Sequence, residues 1–188
     1  FMGTWDQVLC NALREEYKAD VALSAGVRWG TTTLKGDWIT MEDVMTQCSM
    51  TYAETYVQEM TGHDLLNILE QVADNLFDPD PYLQSGGDMV RVGGLDYTID
   101  PAKKLYERIT DARLDNGHLI EADQKYTVAG WAQVNRTPEG RLMWDVVRDY
   151  IVKNKGKDNV LKLPKINHPK LVGVMKDPGI ADYPGEAS

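Results

Sequence analysis

The stretch from Thr61 to Pro81 constrains the fold most. Leu65, Leu66, Ile68, Leu69, Val72, Ala73 and Leu76 recur at helical spacing and make one broad apolar stripe, which a helix can keep out of water only by packing on another layer. Thr61 supplies an N-cap for this helix. Asp78-Pro79-Asp80-Pro81 ends it, because each proline disfavours helical geometry in the residue before it.

The flanking segments supply that layer. Residues 4–19 read as a second amphipathic helix, with Trp5, Val8, Leu9, Ala12, Leu13 and Tyr17 on one face and a Thr4/Gln7 capping box at its start. Asp20 to Ser24 reads as a short buried strand leading into the loop Ala25-Gly26-Val27-Arg28-Trp29-Gly30. Thr40 to Gln47 predicts a short helix with Glu42 and Asp43 in its first turn, where the helix dipole favours acids. Residues 51–60, Met89–Val92, Leu95–Ile99 and Tyr126–Gly130 read as strands, and Asp115-Asn116-Gly117 as a hairpin turn between two more. Residues 140–152 predict a last helix with Leu142, Val146, Tyr150 and Ile151 inward. Four of the eight prolines lie in 164–184, so 162–188 reads as an extended tail that wraps the domain. Helices alternating with strands at the start, and strands dominating the middle, predict a mixed α/β (α+β) domain with helices packed on sheet.

All 188 residues fit one domain large enough to hold its own core. Phe1-Met2-Gly3 reads as a short remnant ahead of an excised fragment, so the lack of a signal peptide says nothing about compartment. No apolar run approaches the roughly 18 residues that span a bilayer. A net charge of −9 argues against nonspecific nucleic-acid binding. The charge is uneven, however. Residues 153–170 hold six lysines against the single acid Asp158, which reads as a solvated basic face or as a patch for an acidic partner.

Chemistry is sparse. His63, His118 and His168 are scattered and none has a second ligand at a metal-like spacing, so no intrinsic metal site is expected. Cys10 and Cys48 lack zinc-like spacing, and Cys10, on the apolar face of the first helix, reads as a buried thiol. Ser24 stands at a strand end, where it reads as a turn cap and not a nucleophile. No catalytic residue is expected in this chain. Two loops suit an oxyanion. Arg28 and Trp29 follow a buried strand between Gly26 and Gly30, where a guanidinium fork matches an oxyanion at two points; a surface arginine stacked on Trp29 is the plainer alternative. Gly86-Gly87-Asp88 offers small residues and backbone amides, with Asp88 equally readable as a turn residue.

The order of these pieces resembles the C-terminal domain of the 5'-nucleotidase family. That family shows a strand running into a glycine-plus-arginine loop, then Gly-Asp/Asn-Ile-Thr, a Leu-Thr-Gly-x-x-Leu helix and Ser-Gly-Leu-x-Tyr-x-x-Asp. Here they stand as Ala22-Leu23-Ser24-Ala25-Gly26-Val27-Arg28, Gly36-Asp37-Trp38-Ile39-Thr40, Met60-Thr61-Gly62-His63-Asp64-Leu65 and Gly93-Gly94-Leu95-Asp96-Tyr97-Thr98-Ile99-Asp100. Within the family, Gly26-Val27-Arg28-Trp29-Gly30, Ala73–Tyr82 and Gly86–Leu95 resemble the SoxB group of sulfohydrolases. Nucleotidases carry a Gly-Gly-Asp-Gly-Tyr/Phe stretch after the late strand, and Val128–Asn135 has none.

The resemblance implies a substrate-recognition domain whose partner is its own N-terminal metallophosphoesterase domain, absent from this chain. Two manganese ions and the catalytic His/Asp pair are implied there, and no cofactor here. The implied reaction is hydrolysis of the terminal sulfonate from a cysteine S-thiosulfonate on the SoxYZ carrier, in the periplasm. Arg28, Trp29, Gly26, Gly86, Gly87 and Asp88 would face the cleft between domains, and this chain alone would be inactive. Two alternatives stand beside this reading: a nucleotide-recognition domain of a 5'-nucleotidase or cyclic phosphodiesterase, and a carrier-docking module that uses the lysine-rich segment.

Overall fold

The computed structural model describes residues 1–26, 31–48, 52–133, 140–163 and 165–173. Four helices, α1 (Thr4–Tyr17), α2 (Met41–Gln47), α3 (Gly62–Phe77) and α4 (Met143–Asn154), accompany seven strands: β1 (Val21–Ser24), β2 (Thr55–Thr61), β3 (Arg91–Gly93), β4 (Leu95–Ile99), β5 (Ile109–Leu114), β6 (Lys125–Trp131) and β7 (Lys170–Leu171). One sheet has the order β2-β6-β1-β3 and the other β5-β4-β7. β1 runs parallel to β6 and antiparallel to β3, and β2 runs antiparallel to β6. The mixed α/β class expected from the sequence is what the chain adopts.

The inner strands of the first sheet, β1 and β6, are buried on both faces along most of their length. Successive side chains of a strand point to opposite faces, and β1 and β6 use this to serve two cores. Ala22, Ala129 and Trp131 join Leu9, Leu13, Val44, Met143, Val146 and Val147 beneath α1, α2 and α4. Val21, Leu23, Tyr126 and Val128 face the other way, onto Leu65, Leu69 and Ala73 of α3 and Leu95, Tyr97 and Ile99 of β4. Cys10 and Cys48 are buried as thiols in the first core.

Several local expectations shift. The first cap is Gly3 with Asp6, whose carboxylate accepts from Gly3 N at 2.8 Å, and not Thr4 with Gln7. A carboxylate at that position satisfies the orphan amide and favours the helix dipole together. β2 starts at Thr55, later than expected from residue 51. α4 starts at Met143, and its fully buried side chains are Met143, Val146 and Val147. After the Asp115–Gly117 turn the returning arm pairs only through a single bridge at Leu119. The two runs around Gly93-Gly94 fall in different sheets, β3 in the first and β4 in the second. α1 crosses so closely here that a Cβ on Gly93 would sit 2.4 Å from Cys10 Cβ. Gly94 changes sheet with a φ of 82°, in the left-handed region that favours glycine.

The described tail is tied down by polar contacts. Asn167, buried, donates from N to Gln7 Oε1 (2.8 Å) and accepts at Oδ1 from Gly94 N (3.0 Å) and Gln7 Nε2 (3.2 Å). Its Nδ2 donates to Asp96 and Asp115, each at 2.9 Å. Lys165 bridges the same two carboxylates at 2.5 and 2.7 Å. β7 then pairs with β4.

Two outcomes follow from this clasp. Asn167→Ala leaves buried Gly94 N without its acceptor and removes one of the two acceptors of Gln7 Nε2, and is expected to cost about 2–3 kcal/mol in urea denaturation. Burial alone would raise the pKa of Asp115, but hydrogen bonds from Lys165, Asn167 and Arg14 outweigh it and hold the group below the ordinary aspartate value. A carboxylate depressed in the folded state stabilises above its unfolded pKa, about 3.9, and loses that contribution as pH falls through the folded value. The stability gap between wild type and Asp115→Asn should therefore be full above about pH 4 and close below it, as measured by thermal melts across pH 2–6.

Candidate functional site

The parallel pair β1 and β6 sends its C-terminal ends to the same edge of the first sheet, the place where loops after strands gather functional groups in α/β folds. β1 ends at Ser24 and β6 at Trp131. Ser24 stands opposite Arg91 of β3 in register. Ser24 is a structural residue: its Oγ accepts from Trp131 Nε1 at 2.8 Å, and both side chains are buried. That bond fixes the ends of the two strands against each other. It also places the indole of Trp131 in the core and not on a ligand-facing surface.

Arg28 and Trp29, the principal expected contacts, lie outside the described residues, as does Gly30. The point from which their loop departs is described. A Cβ on Gly26 would come 2.6 Å from Met89 O and 2.9 Å from Asp88 Cβ. Glycine therefore lets the strand-end loop lie directly against 88–89, and two of the expected site segments meet here. Gly86 and Gly87 are exposed just upstream of that contact. Gly86 N donates to Asn75 O at 3.1 Å, anchoring the loop to the end of α3. Among the described residues, the amides of Gly87 and Asp88 have no protein acceptor.

The group that holds these segments together was not anticipated. Arg91, with its side chain only 12% exposed, donates from Nη1 to Met89 O (2.7 Å) and Asp88 Oδ1 (3.3 Å). Its Nη2 donates to Asp88 Oδ2 and Gly26 O, both at 3.3 Å, and its Nε to Asp6 Oδ2 at 3.2 Å. One guanidinium thus joins α1, the end of β1 and the glycine loop. The planar fork makes this possible, since no other side chain offers five donors in fixed directions. A signal existed in the sequence: Arg91 stands in the short apolar run Met89–Val92, whose Met89 and Val92 are buried, and a charge in such a run must find partners.

Among the described residues, no group of three or more His, Cys, Asp or Glu side chains is placed to hold a metal ion, so manganese does not fit this part of the chain. No described helix is long and apolar enough to cross a membrane. The lysine-rich segment is partly spent internally: Lys153 pairs with Glu15, Lys162 with Asp158, and Lys165 with Asp96 and Asp115.

The family model of the 5'-nucleotidase C-terminal domain matches residues 3–136. This chain belongs to that family. Among solved structures, the 5'-nucleotidase C-terminal fold recurs in SoxB, a sulfate thiohydrolase of Thermus thermophilus in complex with glycerol, at 31% identity and a TM-score of 0.77 over 92% of this chain. It recurs in a 5'-nucleotidase precursor of Thermus thermophilus at 16% identity and a TM-score of 0.70 over 90% of the chain. An NAD nucleotidase of Haemophilus influenzae matches at 16% identity and a TM-score of 0.66, also over 90%. The last two likenesses speak for the fold alone. The chain spans about a third of these proteins, 32%, 35% and 33% of their respective lengths. Among curated proteins none matches.

The contact at Gly26 can be tested directly. Gly26→Ala should push the strand-end loop off 88–89 and lower stability by about 1–3 kcal/mol, read by urea denaturation, with far-UV circular dichroism unchanged.

Proposed function

We propose that this domain is the substrate-recognition part of a SoxB-type sulfohydrolase acting in the periplasm. It presents an oxyanion-binding surface to a cysteine S-thiosulfonate carried on SoxYZ. The observation that carries the reading is the meeting of the Gly26 turn with the 86–89 loop at the C-terminal edge of β1 and β6, in a chain 31% identical to SoxB. In this reading Arg28 holds the sulfonate oxygens by a two-point contact and stabilises charge that develops on them. The backbone amides of Gly87 and Asp88 add donors of the same kind. Gly26 and Gly86 keep the surface free of side-chain bulk, and Trp29 excludes water beside the anion. The hydrolytic metal chemistry, with two manganese ions, belongs to a separate metallophosphoesterase domain, and no metal step is assigned to residues of this chain.

The test is sulfate release from a thiosulfonate-loaded carrier by the full-length protein, wild type against Arg28→Ala. A loss of kcat/KM of about 100-fold, roughly 2.7 kcal/mol of transition-state stabilisation, is expected with manganese content unchanged. The 188-residue chain alone should release no sulfate with manganese added. Unchanged activity in the variant would remove Arg28 from the site. Hydrolysis of a nucleotide, with no sulfate released by wild type, would assign the chain to nucleotide recognition.

A further inference from the structure

We infer that Arg91 is a positioning residue for anion recognition, one that compensates the carboxylate of Asp88 and holds it against the Gly26 turn. The inference rests on the oxyanion reading above and deepens it. It starts from a difficulty: a loop that is to receive a sulfonate carries an aspartate, and an unpaired carboxylate beside an anion is repulsive.

The geometry resolves the difficulty. Both oxygens of Asp88 are engaged by Arg91, Oδ1 by Nη1 and Oδ2 by Nη2, each at 3.3 Å. The same two nitrogens bond Met89 O and Gly26 O, so the guanidinium is held in place and the carboxylate swings outward only by giving up both of its contacts to it. The opposite edge of the guanidinium is fixed on Asp6, whose side chain is 10% exposed and which also accepts from Gly3 N. Arg91 is thereby aimed by a buried carboxylate toward an accessible one, Asp88, whose side chain is 46% exposed. Asp88 acts on the anion through charge, and Arg91 acts through Asp88 and through the placement of the loop. Neither donates a hydrogen bond to the substrate from its side chain.

This assignment predicts signs that a direct contact by Asp88 does not. Asp88→Asn removes a negative charge and keeps the Arg91–Asp6 pair. It should lower KM for the thiosulfonate-loaded carrier about two- to threefold with kcat nearly constant. Arg91→Met frees the carboxylate and should raise KM about tenfold or more, an effect that shrinks as ionic strength rises. Adding Asp88→Asn to Arg91→Met should recover at least about fivefold of that loss, a coupling that a double-mutant cycle reads directly.

The experiment is steady-state sulfate release by the full-length protein for wild type, both single variants and the double variant, with thermal melts alongside. Because Arg91→Met also removes the Arg91–Asp6 ion pair and can fail to fold, Asp88→Asn decides the matter alone. A rise in KM on Asp88→Asn overturns the inference while active wild type leaves the oxyanion reading standing. Absence of rescue in a folded double variant overturns it as well. A wild type that releases no sulfate overturns the oxyanion reading and this inference with it.

Discussion

Every feature at the candidate site depends on a four-residue strand that is buried on both faces. β1 has no exposed residue, and its alternation sends Ala22 into one core and Val21 and Leu23 into the other. The helices α1, α2 and α4 and the α3–β4 layer are held together by what they bury against β1 and its parallel neighbour β6. A strand so placed cannot slip by one residue without exchanging its faces. The end of β1 is consequently a fixed point, and the Gly26 turn leaves the sheet from a position that two cores determine.

What is fixed by apolar burial in the interior is continued by charge at the edge. Ser24 and Trp131 close the strand ends with one neutral hydrogen bond, and Arg91 then spans outward from buried Asp6 to half-exposed Asp88. The edge thus passes from apolar packing, through a neutral bond, to an ion pair that reaches solvent from a rigid support. The same economy governs the lysine-rich segment, where ion pairs to Glu15, Asp96 and Asp115 hold chain ends in place.

Much of this was legible in the sequence, for local reasons. Thr61 and the Leu65–Leu76 stripe predict α3, Thr40 predicts the α2 cap, and the short apolar runs predict β1 and β6, because neighbouring residues alone decide these. The loops bearing Gly26 and Gly86–Asp88 could be singled out from their glycines, and Gly26 does meet Asp88. What escaped was non-local. The division of β3 and β4 between two sheets depends on the close passage of α1 over Gly93. The role of Arg91 depends on partners at positions 6, 26 and 88, which no periodicity brings together. Buried Glu70, which accepts from Tyr106 N and Ile109 N, reads in sequence only as a polar break in an apolar stripe.

The bond between Gln7 and Asn167 joins positions 160 residues apart. Loops of that span close slowly, because ordering so long an intervening chain precedes the gain of the contact. Gly94 N acquires its acceptor and Gln7 Oε1 its donor only once residue 167 has docked. Until then Gly94 N and Gln7 Oε1 are served by solvent. A domain in which residue 167 has yet to dock is thus the species that chaperones and proteases meet.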